Sequence, residues 1–349
     1  MKRIEKMAAA WLLAAALLIP CARADAAPPQ VSAASALLLD CASGRVLYEK
    51  NADSPSLIAS TTKMMTALLV LEQCNPASRV QIPAEAAGVE GSSMYLKAGE
   101  VVTVQDLLYG LMLQSGNDAA VALAIYCAGD VGAFVAQMNE KARALGLHST
   151  TFANPNGLDD DNNRSTARDL AALAAACLQN EDFVRLVSTK NAAAAGRSLT
   201  NHNKLLWRYE GCIGVKTGYT KAAGRILVSA ARRDGRTLVA VTLGAPDDWN
   251  DHTKMLDHGF GAFRQCTLVT KGAVLGSVRV LGQDGVYAVP VLAARDVSCA
   301  LLPGEASGLR LTLPGLWSGP AEPGAPAGEA SCWVAGECVG KTPLVFGPA

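Results

Sequence analysis

The sequence predicts an α/β protein of the α+β kind: one sheet built from both ends of a large domain, an all-helical block inserted between them, and a small β-rich unit after it. Three observations predict this. Strand-like runs open the chain and return after Gly211. Long stretches of helical periodicity fill the interval. From residue 264 onward, short β-like runs alternate with Gly and Pro.

The elements follow in order. Residues 35–40 are apolar and strand-like, Ala42-Ser43-Gly44 turns the chain, and residues 45–49 return. Residues 60–74 carry Met64, Leu68 and Leu71 at helical spacing on one face. Two further helical runs, 103–113 and 118–127, are separated by Gln114-Ser115-Gly116-Asn117. Another spans 131–145 and ends at Gly146. Residues 166–178 are Ala-rich, with Thr166 and Asp169 in capping-box spacing. Residues 212–217, 225–231 and 237–243 read as strands, and Asp234-Gly235 is a hairpin signal between the last two. A helix is expected over 250–263. Beyond it, the runs 267–269, 277–281, 286–292 and 309–313 predict a separate small β domain, with 319–328 as a Pro-, Gly- and Ala-rich connection. The expected division is a leader at 1–26, a main domain at 27–263 and a β-rich domain at 264–349.

The chain has 349 residues, half of them hydrophobic, which is ample for a packed core and excludes a disordered or fibrous class. Lys2, Arg3 and Lys6 precede an apolar run from Met7 to Pro20, and Ala24-Asp25-Ala26 fits a signal-peptidase site. The run is short for a membrane span, so cleavage before Ala27 and export are expected. Removing residues 1–26 leaves 27 basic and 29 acidic residues of the original 31 and 31. A near-neutral surface gives no general pull on nucleic acid or anionic membrane.

Nine cysteines follow the leader, an odd number that cannot all pair within one chain. Cys127 and Cys177 lie in apolar runs and read as small buried hydrophobes. Cys332 and Cys338 are the pair whose proximity in sequence suggests a local bridge. With no Cys-x-x-Cys pair and four His, nothing calls for a structural zinc, and no metal or organic cofactor is expected.

Three motifs carry chemistry. Ser60-Thr61-Thr62-Lys63 opens the first helix, so hydroxyl and amine lie on one face a turn apart. An exposed Lys is protonated at neutral pH and is no base. Burial and a second cation would lower its pKa, and Lys216 is the candidate for that cation. Ser115-Gly116-Asn117 interrupts two helices. Its Ser can relay a proton and its Asn can hold Lys63 or a substrate carbonyl. Lys216-Thr217-Gly218 ends a strand along which a peptide could lie as an added strand, with Lys216 and Thr217 gripping a terminal carboxylate. Gly218 would leave room for the substrate backbone, and the N–H groups of Ser60 and Tyr219 would form an oxyanion hole. Each fragment alone is common. The three in this order, on these elements, are not a chance set.

Longer stretches extend the pattern: Ala59-Ser60-Thr61-Thr62-Lys63-Met64-Met65-Thr66-Ala67, Gly91-Ser92-Ser93-Met94-Tyr95-Leu96-Lys97, Asn154-Pro155-Asn156-Gly157-Leu158 and Gly214-Val215-Lys216-Thr217-Gly218-Tyr219-Thr220. With them the chain resembles the low-molecular-mass penicillin-binding proteins, the D-alanyl-D-alanine carboxypeptidases of peptidase family S11, over about residues 31–263. The resemblance implies a β-lactamase/transpeptidase-like antiparallel sheet flanked by helices. It implies Ser60 as nucleophile, Lys63 as base, Ser115 and Asn117 in relay and positioning, and Lys216 and Thr217 as carboxylate binders. Peptidoglycan pentapeptides would be the substrate and β-lactams covalent inhibitors. Three departures stand out. Asn156 replaces a common His in a segment expected at the cleft rim. Ile58 replaces a common Pro. The final residues 342–349 lack the amphipathic helix with which relatives dock on membranes, which argues against membrane association. One rival is a class A serine β-lactamase, which needs a Glu-x-x-Leu-Asn segment that does not occur between Asn117 and Lys216. The other is a non-catalytic scaffold, disfavoured by three intact motifs.

Overall fold

The computed structural model describes residues 27–283 and 285–348; the expected leader lies outside them. A five-stranded antiparallel sheet is drawn from both ends of the main domain. Its strands are β1 (Ser35–Asp40), β2 (Val46–Lys50), β9 (Cys212–Thr220), β10 (Gly224–Arg233) and β11 (Arg236–Leu243), in the order β2-β1-β11-β10-β9. β1 is buried along its whole length because helices cover both its faces. Asp234 (φ 50°) and Gly235 (φ 76°) both take positive φ, as the two-residue hairpin joining β10 and β11 requires.

The helical block comprises α1 (Lys63–Gln73), α2 (Val104–Met112), α3 (Asn117–Ala128), α4 (Val131–Ala144), α5 (Ala167–Cys177) and α6 (Glu181–Ser188). Short ladders brace it: β3 (Ser56–Leu57) with β6 (Arg164–Ser165), β4 (Arg79–Gln81) with β5 (Val101–Thr103), and the hairpin β7 (Asn191–Ala194) with β8 (Arg197–Thr200). One large core joins these helices to the inner sheet face, through Met64, Leu107 and Leu123 against Ile226, Val228 and Val239. A second core, with Leu38, Leu227 and Met255, lies between the other face and α8 (Asp248–Ala262), after the short α7 (Leu205–Arg208).

Helix starts follow local chemistry, with one correction. At Thr166 the side chain accepts from Asp169 N–H, but Asp169 turns outward to Ser149 and Thr150, so only half of the predicted box forms. The reciprocal box belongs to Thr103 and Asp106 at α2, an arrangement that stabilises a helix start by about 1 kcal/mol.

Beyond α8 the chain is all β, as expected. A two-stranded ladder pairs β12 (Arg264–Val269) with β15 (Val297–Leu301). A five-stranded sheet orders β13 (Val274–Gly282), β14 (Gly285–Ala293), β18 (Glu337–Phe346), β17 (Pro326–Val334) and β16 (Ser307–Thr312). The terminal segment 342–346 is thus strand. Arg45 at the β1–β2 turn ties this unit to the main domain through Ala300 O and Glu305.

The cysteine expectation needs correcting. Cys74 and Cys127 are joined, linking the end of α1 to the end of α3. Cys332 and Cys338 stay free. A bulge beside Cys332 sets Cys338 opposite Trp333, so the two cysteines are out of register. Sequence separation hid the first pair, because the close approach of α1 and α3 is a tertiary fact.

Candidate active site

Ser60 sits in a 3₁₀ turn, Ala59–Thr62, that runs directly into α1. The turn is held from outside. Ile58 is fully buried, and its carbonyl accepts from the Thr61 amide and hydroxyl. Ala59 takes φ 45°, a left-handed conformation that costs a non-glycine residue energy and is kept only by its surroundings. Those surroundings include Gly157 (φ +87°), where an added Cβ would lie 2.0 Å from Ala59 O and 2.8 Å from Ser60 N. Gly157→Ala is therefore expected to displace the turn that carries Ser60. It should lower the unfolding midpoint and cut the rate of acylation by penicillin by at least about tenfold, since angstrom-scale misplacement costs that much or more. Stopped-flow acylation beside a thermal melt checks this, and wild-type values in both would contradict the packing described.

Lys63 is wholly buried one turn along. Its Nζ lies 2.9 Å from Ser60 Oγ and donates to Asn117 Oδ1 at 2.7 Å and to the Asn156 carbonyl. A neutral amine has two hydrogens and one lone pair. Two carbonyl oxygens take the hydrogens, which leaves the lone pair for the Ser60 hydroxyl. Burial, first, and then the charge of Lys216 hold the Lys63 pKa well below that of a free lysine, against an opposing pull from Asp118. Lys216 is also buried, which lowers its pKa to about 7. Both lysines thus lose a proton more readily than a free lysine does, and the charge of Lys216 is one of the causes that favours the free amine on Lys63.

The Asn156 expectation is overturned. The residue is 4% exposed, and its backbone carbonyl touches Lys63. Its segment is cleft floor, not rim, and Thr66 Oγ1 fastens it by donating to Pro155 O at 2.6 Å. The backbone makes the contact to Lys63, so the change from His to Asn leaves that contact in place.

The second motif is built by backbone placement. Ser115 takes φ 60°, and the strain falls on it rather than on Gly116. Gly116 is needed for space, since a Cβ there would lie 2.8 Å from Asp118 Oδ1. Asn117 Nδ2 donates to Glu90 O at 2.7 Å while its oxygen takes Lys63. Asp118, fully buried, accepts from Ser93 Oγ and from the amides of Met94 and Leu96, pinning the loop over the cleft.

The third motif lies on β9, the edge strand of the sheet. Lys216 pairs with Val228 and Gly218 with Ile226, both residues of the helical-side core, so these two face the Ser60 turn. The space that Gly218 leaves is filled by the protein itself, because a Cβ there would meet Ala59, Ile58 O and Ser60 N at 3.3 Å. That corrects the expectation that it makes room for substrate. Lys216 Nζ donates to Thr217 O at 2.9 Å.

The three motifs converge on one cleft of about 320 Å³, lined by Ser60, Ser115, Thr217, Gly218 and Tyr219, with Lys63, Asn117 and Lys216 buried around it. The cleft also has a wall that the sequence reading did not single out. His202 and Lys204 line it, as does Arg225, held by both oxygens of Asp248 and set over Trp249. Burial and Lys216 lower the His202 pKa. No spacing in the sequence marks these residues, because they come from the approach to β9, the start of β10 and the start of α8.

Residues 22–247 match the family model for the D-alanyl-D-alanine carboxypeptidases of family S11. The chain is 36% identical to the D-alanyl-D-alanine carboxypeptidase DacF of Bacillus subtilis over 71% of its length and 67% of the relative's. It is 38% identical to DacC of Escherichia coli, over 72% and 67%. Penicillin binding protein 5 from Haemophilus influenzae superposes with a TM-score of 0.81 at 31% identity, covering 92% of this chain and 98% of that one. The Streptomyces K15 DD-transpeptidase gives 0.64 at 37% identity, over 67% and 99%. Fold and cleft together define a serine hydrolase of the penicillin-binding class. The chain belongs to the D-alanyl-D-alanine carboxypeptidase family S11, and its reaction is that of a serine D-Ala-D-Ala carboxypeptidase acting on peptidoglycan peptides.

Proposed function

We propose that Ser60 carries the acyl group, with the surrounding residues in the following roles. The peptide lies along the free edge of β9 with its terminal carboxylate between Lys216 and Thr217. Ser60 Oγ passes its proton to Lys63 Nζ and attacks the carbonyl of the penultimate D-alanine. The amides of Ser60 and Tyr219 receive the oxyanion; one such donor contributes about 10²–10³-fold in rate. As the C–N bond breaks, Lys63 returns the proton through the Ser115 hydroxyl to the departing D-alanine amine. Water then hydrolyses the ester. A β-lactam follows the same first step, but its leaving amine stays tethered and obstructs water.

The single observation that carries this reading is the buried Lys63 Nζ, within hydrogen-bond distance of Ser60 Oγ and of the two carbonyl oxygens of Asn117 and Asn156. Among the described residues lining the cleft, the only carboxylate is Asp248, which is occupied by Arg225 and the Trp249 amide. That supports slow deacylation of β-lactams and disfavours β-lactamase action. We further infer that the basic and apolar segment before Ala27 directs export, so that the enzyme works on the wall side of the cytoplasmic membrane.

The test compares two reactions of the purified chain. D-Alanine should be released catalytically from a synthetic acyl-D-Ala-D-Ala peptide, while penicillin should be bound once and turned over at least about 10³-fold more slowly than by a hydrolase with a dedicated base. Rapid penicillin hydrolysis without peptide cleavage would reverse the assignment.

A further inference from the structure

Seven free cysteines lie among the described residues, and four of them belong to the β-rich unit: Cys266, Cys299, Cys332 and Cys338. Two of these stand directly opposite each other. In the β12–β15 ladder the register pairs Cys266 with Cys299. Residues directly opposite in an antiparallel pair project from the same face, with Cα atoms about 4.5–5.5 Å apart in either hydrogen-bonding class. A disulfide spans Cα distances of about 4.4–6.8 Å, so the backbone as folded already meets the main requirement. Opposed Cβ atoms start about 4.5–5.5 Å apart and must draw in to about 3.5–4.5 Å. The ladder can give by that amount, because it has only two strands and carries a bulge between Thr267 and Val269.

We propose that Cys266 and Cys299 form a cross-strand disulfide when the protein meets a disulfide oxidant, and that this bond locks β12, the strand that leaves the main domain, to β15, the strand that docks back on it. Their exposures suit an ordered exchange. Cys266 is half-buried and reachable, whereas Cys299 is fully buried, and burial holds its thiol pKa up. The Cys266 thiolate attacks the oxidant's disulfide, forms a mixed disulfide and releases one thiol. The Cys299 thiol then gives up its proton, attacks the Cys266 sulfur and expels the second thiol. Two protein thiols and one oxidant disulfide become one protein disulfide and two small thiols.

The bond would act where the two units meet. β12 follows directly from α8, and the residue after Cys299, Ala300, accepts from Arg45 of the β1–β2 turn. Arg45 also pairs with Glu305 just beyond β15. Oxidation would therefore lock the strand that leaves the main domain to the strand that docks back on it. Cys332 and Cys338 offer no equivalent, because they are out of register across β17 and β18.

The full chain, purified in reductant and then exposed to oxidised glutathione, is denatured, alkylated without reduction and digested. The expected product is a peptide pair joined through Cys266 and Cys299, lighter than the two free peptides by two hydrogens and separated by reductant. Its unfolding midpoint should rise on the order of 5 °C on oxidation. Cys266→Ser, a change at a half-exposed position, should remove both the cross-link and the rise while leaving D-alanine release unchanged. Alkylation of both cysteines after oxidation, or a bond from Cys299 to Cys332 in their place, would overturn the proposal.

Discussion

Ser60→Ala is expected to lower D-alanine release by roughly 10⁴–10⁶-fold, because deleting a nucleophile leaves only the binding and oxyanion contributions of the cleft. Folding should be untouched. The side chain is small and half-exposed, and among the described residues its polar partner is Lys63. The variant should therefore still bind the peptide, with a dissociation constant near the wild-type KM and an unchanged thermal midpoint. Comparable release by variant and wild type would move the chemistry to another residue.

Lys63→Met is the second large effect, expected to cut kcat/KM by about 10²–10⁴-fold for loss of the base. Methionine fills similar apolar volume but leaves Asn117 Oδ1 and the Asn156 carbonyl without a donor, so some stability is lost as well. The pH profile distinguishes loss of a base from loss of packing. In the wild type the Lys63 pKa is depressed, so the free amine persists well below the usual lysine range and activity falls on the acid side as it gains a proton. Lys216 titrates at about 7, so the free enzyme loses its carboxylate grip as pH rises through that value. The kcat/KM profile should thus be bell-shaped. In kcat the alkaline limb should move upward, since a bound carboxylate keeps Lys216 charged. A profile flat from pH 5 to 9 would contradict the amine base.

Much of this was legible before the structure. The helices over α1, α3 and α4 and the strands β1, β10 and β11 were predicted because long apolar periodicity and turn residues such as Asp234-Gly235 are local signals. Strands β15, β17 and β18 were missed. β17 opens inside a Pro- and Gly-rich stretch, and β18 contains Gly340 and Pro343, so their pairing depends on partners rather than on their own residues. The eight motif residues came together because three fixed spacings encode them. The cleft wall of His202, Lys204, Arg225 and Trp249 did not, because these residues come from three separate segments and no fixed interval links those segments. The same cause hid the joining of Cys74 to Cys127 and the floor position of Asn156.

Backbone conformation was least visible. A motif written Ser-Gly-Asn puts the flexible residue in the middle, yet the positive φ is at Ser115. Ala59 likewise holds a left-handed conformation beside the nucleophile. The Ala59 turn packs directly against Gly157, a residue nearly a hundred positions away in the sequence.

The most direct test is the mass of the protein after brief exposure to penicillin, followed by digestion and sequencing of the modified peptide. The structure predicts one adduct per chain, on Ser60, formed in the wild type and absent from Ser60→Ala. An adduct on any other residue, or equal labelling of both proteins, would contradict the placement of the reacting oxygen against Lys63.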